Sequence, residues 1–158
     1  MSVLAAAVAV LIATGAAGAA CAAIATVRRR YLVVTVRGSS MSPTFDDAER
    51  VLTRRTGGTD SPVRGEVVVL RAPGDAAKVS PLLVKRVAAA PGDEVPAEFL
   101  PVVPVPVVPP GHLLVRGDNN ASADSRSFGL VDSRLVVGTV MTTAITPKKG
   151  KSCTSPED

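Results

Sequence analysis

The chain has 158 residues, a formal net charge of +4, no Trp and only 3% aromatic residues. Three of its basic residues form the cluster Arg28-Arg29-Arg30, and no second basic run or set of stacking aromatics follows, which argues against a nucleic-acid-binding protein. One histidine and two distant cysteines, Cys21 and Cys153, offer neither the usual ligands of a protein-bound metal nor a plausible internal disulfide, so we expect no metal and no cofactor.

The N-terminal segment is apolar and carries no charge from Val3 to Val27. As a helix, its roughly 25 residues would be longer than the thickness of a hydrocarbon core, about 30 Å. We therefore predict that residues 1–30 form a transmembrane anchor with a basic flank. A cleavable signal peptide would need basic residues before the apolar stretch, and lipidation of Cys21 is a weaker alternative. By the positive-inside rule, the three arginines would leave the following domain in the cytoplasm.

Beyond residue 30, short Val-rich runs recur between turn signals, a pattern typical of β-strands. The spacing of these runs predicts an all-β domain over residues 31–146, a barrel or a set of coiled sheets. The predicted strands are 31–36, 50–54, 66–70, 82–87, 113–116 and 135–145, the last with a bend at Gly138.

Two other segments do not read as strands. Residues 95–110 alternate Pro with Val, which predicts a polyproline-like excursion over the surface, because proline removes the donors that a sheet needs. An apolar flap that touches membrane or substrate is the functional alternative. The polar tail 147–158 has too few apolar residues to pack and is predicted to be disordered.

A candidate nucleophile, Ser40, follows the first predicted strand. It lies between Gly38, which allows close backbone approach, and Pro43, which fixes its own φ and biases Ser42 toward extended conformations. A serine in such a bend can present its hydroxyl to a ligand. The same composition also fits an ordinary turn.

A serine nucleophile needs a base, and the sequence offers two. His112 is the lone histidine and lies in a turn. Lys85 lies in an apolar strand, where it becomes a base only if burial lowers its pKa from about 10.4. Because residues two apart share a strand face, Leu83, Lys85 and Val87 would point one way and Arg86 the other. The reverse facing would make Lys85 a solvated surface charge.

A third stretch, residues 117–126, is dense in small polar side chains. Asp124 and Arg126 can form a salt bridge that fixes the loop, and Ser122 can hydrogen-bond the lysine amine and orient it. Taken alone, the stretch is also consistent with a plain polar turn.

Together, these stretches resemble type I signal peptidases, the membrane-bound serine proteases that remove signal peptides with a Ser-Lys dyad. The resemblance covers roughly residues 33 to 140 and keeps the order of the family motifs. These are Ser-Met-x-Pro-Thr at 40–44, Arg-Gly-Asp at 64–66 with Glu66 in place of Asp, Lys-Arg at 85–86 followed by Pro-Gly-Asp at 91–93, and Gly-Asp-Asn then Ser-x-Asp-Ser-Arg within 117–126.

The resemblance implies coiled β-sheets behind one N-terminal transmembrane helix, and it implies a role for each motif residue. Ser40 would be the nucleophile and Lys85 the general base. Backbone N–H groups at Gly38 and chiefly Ser40 would form the oxyanion hole, Ser122 would orient the lysine, and Asp124 and Arg126 would support the loop. Substrate would lie extended against Met41, Leu82, Leu83 and Val84.

The implied partners are preproteins, cleaved after small residues, and the lipid bilayer. Catalysis would then take place on the outer face of the cell membrane, against the positive-inside argument.

Some features depart from the family pattern. One residue is missing between Asn119 and Ser122, Gly38 replaces a hydroxyl that some members use, and residues 46–49 lack the usual glycine. The larger accessory domain of some members is also absent. Three other functions stay open: a dedicated maturation protease for one precursor, a self-cleaving repressor-type protease, and a catalytically silent membrane-anchored module of the same fold.

Overall fold

The structure, a computed structural model, describes residues 2–56, 62–78 and 80–142. The chain divides into two compact units, Met1–Leu32 and Val33–Asp158. The first unit contains helix α1 (Ser2–Arg30), with Arg28, Arg29 and Arg30 in its last turn. Cations there interact favourably with the unpaired carbonyls of a helix C-terminus.

No helix within the described ranges is both long enough and apolar enough to cross a membrane. The predicted transmembrane helix is therefore not confirmed. The predicted disordered tail, 147–158, lies outside the described residues.

The sheet has seven strands in the order β1-β2-β7-β3-β4-β5-β6, and the pairs from β2 onward are antiparallel. This confirms the predicted all-β class. The strands are β1 (Tyr31–Thr35), β2 (Arg50–Arg55), β3 (Val67–Arg71), β4 (Leu82–Ala89), β5 (His112–Arg116), β6 (Val131–Asp132) and β7 (Val136–Thr142).

All six predicted strands are present with small shifts at their ends, although residues 143–145 of the last one lie outside the described ranges. Besides short 3-10 helices, the elements that we did not predict are β6 and the four-residue helix α2 (Ser125–Phe128). Both are too short to show a hydrophobic period.

Apolar side chains pack on both faces of the sheet. Along β5, Leu113 and Val115 belong to one core cluster and Leu114 to the other, as the alternation of a strand requires. Burial on both faces explains why the strands read as continuous Val-rich runs. The first cluster comprises Val68, Leu70, Val87, Leu113, Val115, Val131 and Val136. The second comprises Ala89, Val95, Phe99, Val103, Val108 and Leu114.

The Pro-Val segment 95–110 corrects our prediction of a surface excursion. It is not a strand of the main sheet, but it supplies four of the six side chains of the second core cluster: Val95, Phe99, Val103 and Val108. A 3-10 helix (Ala97–Phe99) and an isolated bridge between Glu94 and Val107 shape it. Its exposed prolines lie between buried apolar side chains, so the segment covers one face of the sheet without pairing as a strand.

The turn after the Ser40 motif explains how the chain does without the family's glycine. Ala48 adopts φ +65°, a left-handed conformation. Val36 N donates to Glu49 O at 2.8 Å, and Ala48 N donates to Val36 O at 3.0 Å. These bonds close the loop that carries Ser40, and an alanine takes the strained position within it.

We predict that Ala48→Gly raises the free energy of unfolding by up to about 1 kcal/mol. Glycine avoids the steric cost of the left-handed conformation, although its greater freedom in the unfolded chain offsets part of that gain. Urea unfolding followed by circular dichroism measures the change. Ala97→Gly, at an exposed residue without a positive φ, should instead lower stability by about 0.5 to 1 kcal/mol. An equal decrease in the free energy of unfolding of both variants would contradict the prediction.

Candidate active site

Lys85 points into the core, with only 3% of its surface exposed. Its neighbour Arg86 points the other way, with 35% of its side chain exposed. Of the two facings that the sequence left open for β4, the structure has the one with Lys85 inward. Burial lowers the pKa of the Lys85 ammonium because its charged form loses hydration. The negative charge of Asp124 opposes this effect and the positive charge of Arg126 reinforces it. Lys85 is therefore an amine that releases its proton more readily than a surface lysine.

The Lys85 amine has a specific hydrogen-bond partner. Its Nζ donates to Ser122 Oγ at 2.5 Å. Ser122 lies in the loop between β5 and α2, and the residue missing from that loop does not prevent the contact. A hydroxyl at this distance fixes the direction in which the amine points.

Asp124 holds that loop in place from a fully buried position. It accepts from Gly117 N at 2.9 Å, and from Arg126 Nε at 2.9 Å and Nη2 at 2.8 Å. Burial alone would raise the pKa of the Asp124 carboxyl, but the hydrogen bonds from Arg126 and Gly117 outweigh it and lower the pKa. The expected salt bridge between Asp124 and Arg126 is thus present.

Gly117 joins the Ser40 turn to the Ser122 loop. A Cβ on Gly117 would lie 2.6 Å from Ser40 O and 2.2 Å from Ser122 Oγ. Ser40 O also accepts from Asn119 N at 3.1 Å, and Asn119 Nδ2 donates to Ser39 O at 3.1 Å. The Ser40 backbone, the Ser122 hydroxyl and the Lys85 amine therefore adjoin one another, and only glycine fits between the first two.

The two backbone donors predicted for the oxyanion hole differ in availability. Gly38, at φ +79°, donates its N–H to Asp47 Oδ1 at 2.7 Å, so this group is occupied. Within the described residues, the Ser40 N–H donates to no acceptor. Of the two N–H groups, that of Ser40 is the free donor, and the roles of Gly38 and Ser40 in an oxyanion hole stay predictions.

Sequence reasoning missed a second layer made by Thr44, Arg86 and Asp118. Arg86 donates from Nε to Asp118 Oδ1 at 2.9 Å and from Nη2 to Oδ2 at 2.6 Å, and Thr44 Oγ1 donates to Oδ2 at 2.5 Å. The hydrogen bond from Arg86 lowers the pKa of Asp118 most strongly, although burial opposes it. The available signal was strand alternation, which places Arg86 on the opposite face from Lys85, where its charge needs a separate partner.

The predicted substrate residues differ in exposure. Leu82 is exposed, Leu83 is half-buried, Val84 is 9% exposed and Met41 is fully buried. The Met41 side chain therefore has no free surface here, and its contact with a substrate stays a prediction. β4 pairs with β3 from Leu82 onward, whereas among the described residues its pairs with β5 begin at Arg86, so residues 82–84 have no β5 partner there.

His112, the alternative base, lies at the far end of β5. It lies four positions before Arg116, which precedes Gly117, and at the rise of a strand this is about 13 Å. Its Nδ1 lies 3.1 Å from Pro110 O. The fold therefore places Lys85, and not His112, next to the Ser122 loop.

Comparison with known proteins finds a matching family model and similar proteins. A family model described as "Signal peptidase, peptidase S26" matches residues 3–102 and 96–145. Mitochondrial inner membrane protease subunit 2 of Saccharomyces cerevisiae is 31% identical over 126 residues, covering 74% of this chain and 70% of that protein. Signal peptidase IB of Staphylococcus aureus is 33% identical over 144 residues, covering 67% of this chain and 73% of that protein.

The layer around Asp118 gives a prediction for acid sensitivity. Asp118→Asn should lower the free energy of unfolding at neutral pH by about 1 to 3 kcal/mol, because Arg86 loses its charged partner. The folded pKa of Asp118 lies below its unfolded value of about 3.9, so its contribution is complete above that value and is lost as pH falls toward the folded pKa.

The stability difference between wild type and Asp118→Asn should therefore shrink from about pH 6 to about pH 3, measured by urea unfolding at each pH. Glu94→Gln, at an exposed carboxylate, is the control and should show almost no difference at any pH. A difference for Asp118→Asn that stays constant across this range would contradict the assignment.

Proposed function

The chain belongs to the type I signal peptidase family and is a serine endopeptidase, and from this membership we propose that it removes signal or leader peptides from exported proteins with a Ser40–Lys85 dyad. The observation that carries the proposal is the buried Lys85 amine, hydrogen-bonded to Ser122 in the loop that also holds the Ser40 backbone.

The proposed reaction uses Lys85 in its neutral form. Its amine accepts the proton of the Ser40 hydroxyl as Ser40 Oγ attacks the scissile carbonyl, and the proton then passes to the leaving amine. The free Ser40 N–H is a donor for the oxyanion. Water, deprotonated by the same amine, hydrolyses the acyl-enzyme and restores Ser40. Ser122 keeps the amine oriented through both halves of the reaction.

The proposed substrate is an extended peptide that adds to the edge of β4 at 82–84, where no pairing with β5 is recorded. Backbone hydrogen bonds along such an edge bind any sequence, so selectivity must come from side-chain pockets. Leu82, Leu83 and Val84, with Met41 beneath the surface, would form shallow apolar pockets that accept small residues at the cleavage site.

We further propose that the enzyme works at the cell membrane, anchored once through α1 with its catalytic domain outside. The uncharged stretch 3–27 and the family support this topology. The three arginines that argue against it also have a local role at the C-terminus of α1. Protease added to intact cells should digest the domain. If the domain is protected, a maturation protease for one internal precursor is favoured.

The dyad is tested with a preprotein whose signal ends in Ala-x-Ala, followed by N-terminal sequencing of the product. Wild type should cleave after that motif, and Ser40→Ala should lose about 10³-fold or more of the activity. Lys85→Arg should be as damaging as Lys85→Ala, because a guanidinium does not deprotonate near working pH. Ser127→Ala and Lys78→Arg, at exposed residues, are matched controls and should retain activity.

Thermal unfolding of each variant separates lost chemistry from lost folding. Substantial activity in a folded Lys85→Arg variant would refute the base assignment. A folded wild type that cleaves neither this preprotein nor any other leader peptide would instead identify a catalytically silent module.

The lowered pKa of Lys85 predicts the pH dependence of catalysis. Because the neutral amine is the active form, kcat/KM should rise with pH through an ionisation below the ordinary lysine value of 10.5. His112→Gln should leave this profile unchanged, since His112 lies at the other end of β5. A rise that disappears in His112→Gln would assign the base to the histidine.

A further inference from the structure

Three arginines surround one pocket on the face of β4 and β5 opposite Lys85. The pocket has a volume of about 220 Å³. Arg86 and Arg116 are direct cross-strand partners, and Arg64 reaches the pocket from the segment before β3. Glu98 is the acidic residue of the lining, and Val87, Ala88 and Pro96 add apolar walls.

The charges of this pocket are not balanced by the protein. Like charges directly opposite each other on neighbouring strands destabilise a sheet. Arg86 has Asp118 as a bidentate partner, whereas Arg116 and Glu98 form a half-exposed pair of 3.0 Å, a type that contributes little. Arg64 makes no hydrogen bond or ion pair with any described residue. Asp118 therefore balances the charge of Arg86 and Glu98 that of Arg116, and Arg64 is left as a cation without a carboxylate among the described residues.

The pocket also has hydrogen-bond donors without acceptors among the described residues. All N–H groups of Arg64 lack acceptors within the described residues, and the recorded side-chain bonds of Arg116 use only its Nη1.

We propose that this pocket binds a phosphate group, with Arg64 and Arg116 as its direct ligands. A guanidinium presents two parallel donors, and a phosphate has enough oxygens to accept from two such forks at once, whereas a carboxylate is matched by one. The phosphate would come from a free phosphate compound or from a lipid headgroup. This site does not depend on the proposed catalysis, because it lies on the other face of the sheet from Lys85.

The test is calorimetric titration of the full chain, kept in a nonionic detergent at constant ionic strength, with inorganic phosphate. Arg64→Ala and Arg116→Ala should each weaken binding about tenfold, as expected for the loss of one charge-assisted fork. Glu98→Gln removes the carboxylate of the lining and should tighten binding severalfold. Arg71→Ala, at an exposed arginine outside the pocket, is the control and should bind as wild type does.

Micelles doped with phosphatidylglycerol distinguish the two sources. If the lipid competes with inorganic phosphate in wild type but not in Arg64→Ala, the ligand is a headgroup. If it does not compete, the ligand is a free phosphate compound. The proposal is overturned if neither phosphate nor doped micelles bind, or if Arg64→Ala and Arg116→Ala bind as tightly as Arg71→Ala.

Discussion

The candidate site depends on one unfavourable placement, a lysine amine buried in an apolar sheet. Burying an ammonium without a directly bonded carboxylate is costly, and the protein responds by lowering the pKa of Lys85 and by giving the amine a neutral partner, Ser122. Asp124, the carboxylate whose charge acts on the Lys85 amine, is already hydrogen-bonded to Arg126 and Gly117 N. Asp124 thus positions the loop and leaves the lysine free to act as a base.

The surrounding layer keeps three distant parts of the chain in register. Arg86, one residue after Lys85, binds Asp118, one residue after Gly117, and Asp118 binds Thr44, four residues after Ser40. Lys85, Gly117 and the Ser40 motif therefore each have a chain neighbour in the second layer. Movement of any one motif would break a hydrogen bond to Asp118 as well as the contacts around Lys85 and Ser40. The second layer therefore stabilises the geometry of the candidate site.

Much of this arrangement was predictable from the sequence. Val-rich runs identified six of the seven strands. Simple alternation predicted that Lys85 and Arg86 face opposite ways, but it left open which of the two points inward. The packing of 95–110 was not predictable, because a high proline content excludes ladder pairing but says nothing about burial. The partners of Asp118 and Gly38 were missed for a different reason. The Arg86–Asp118 bond joins residues 32 apart in the chain, and the Gly38–Asp47 bond spans nine residues of one irregular loop, so strand periodicity carries no signal for either.

The segment 95–110 has a consequence for solubility. Leu100, Val102 and Val107 are exposed there, and an apolar strand in that position would be a template for association with other chains. Pro101, Pro104 and Pro106 interrupt the row of N–H donors that such a template requires. A segment built this way can cover a sheet with apolar side chains and show some of them to solvent without starting the edge-to-edge pairing that leads to aggregation.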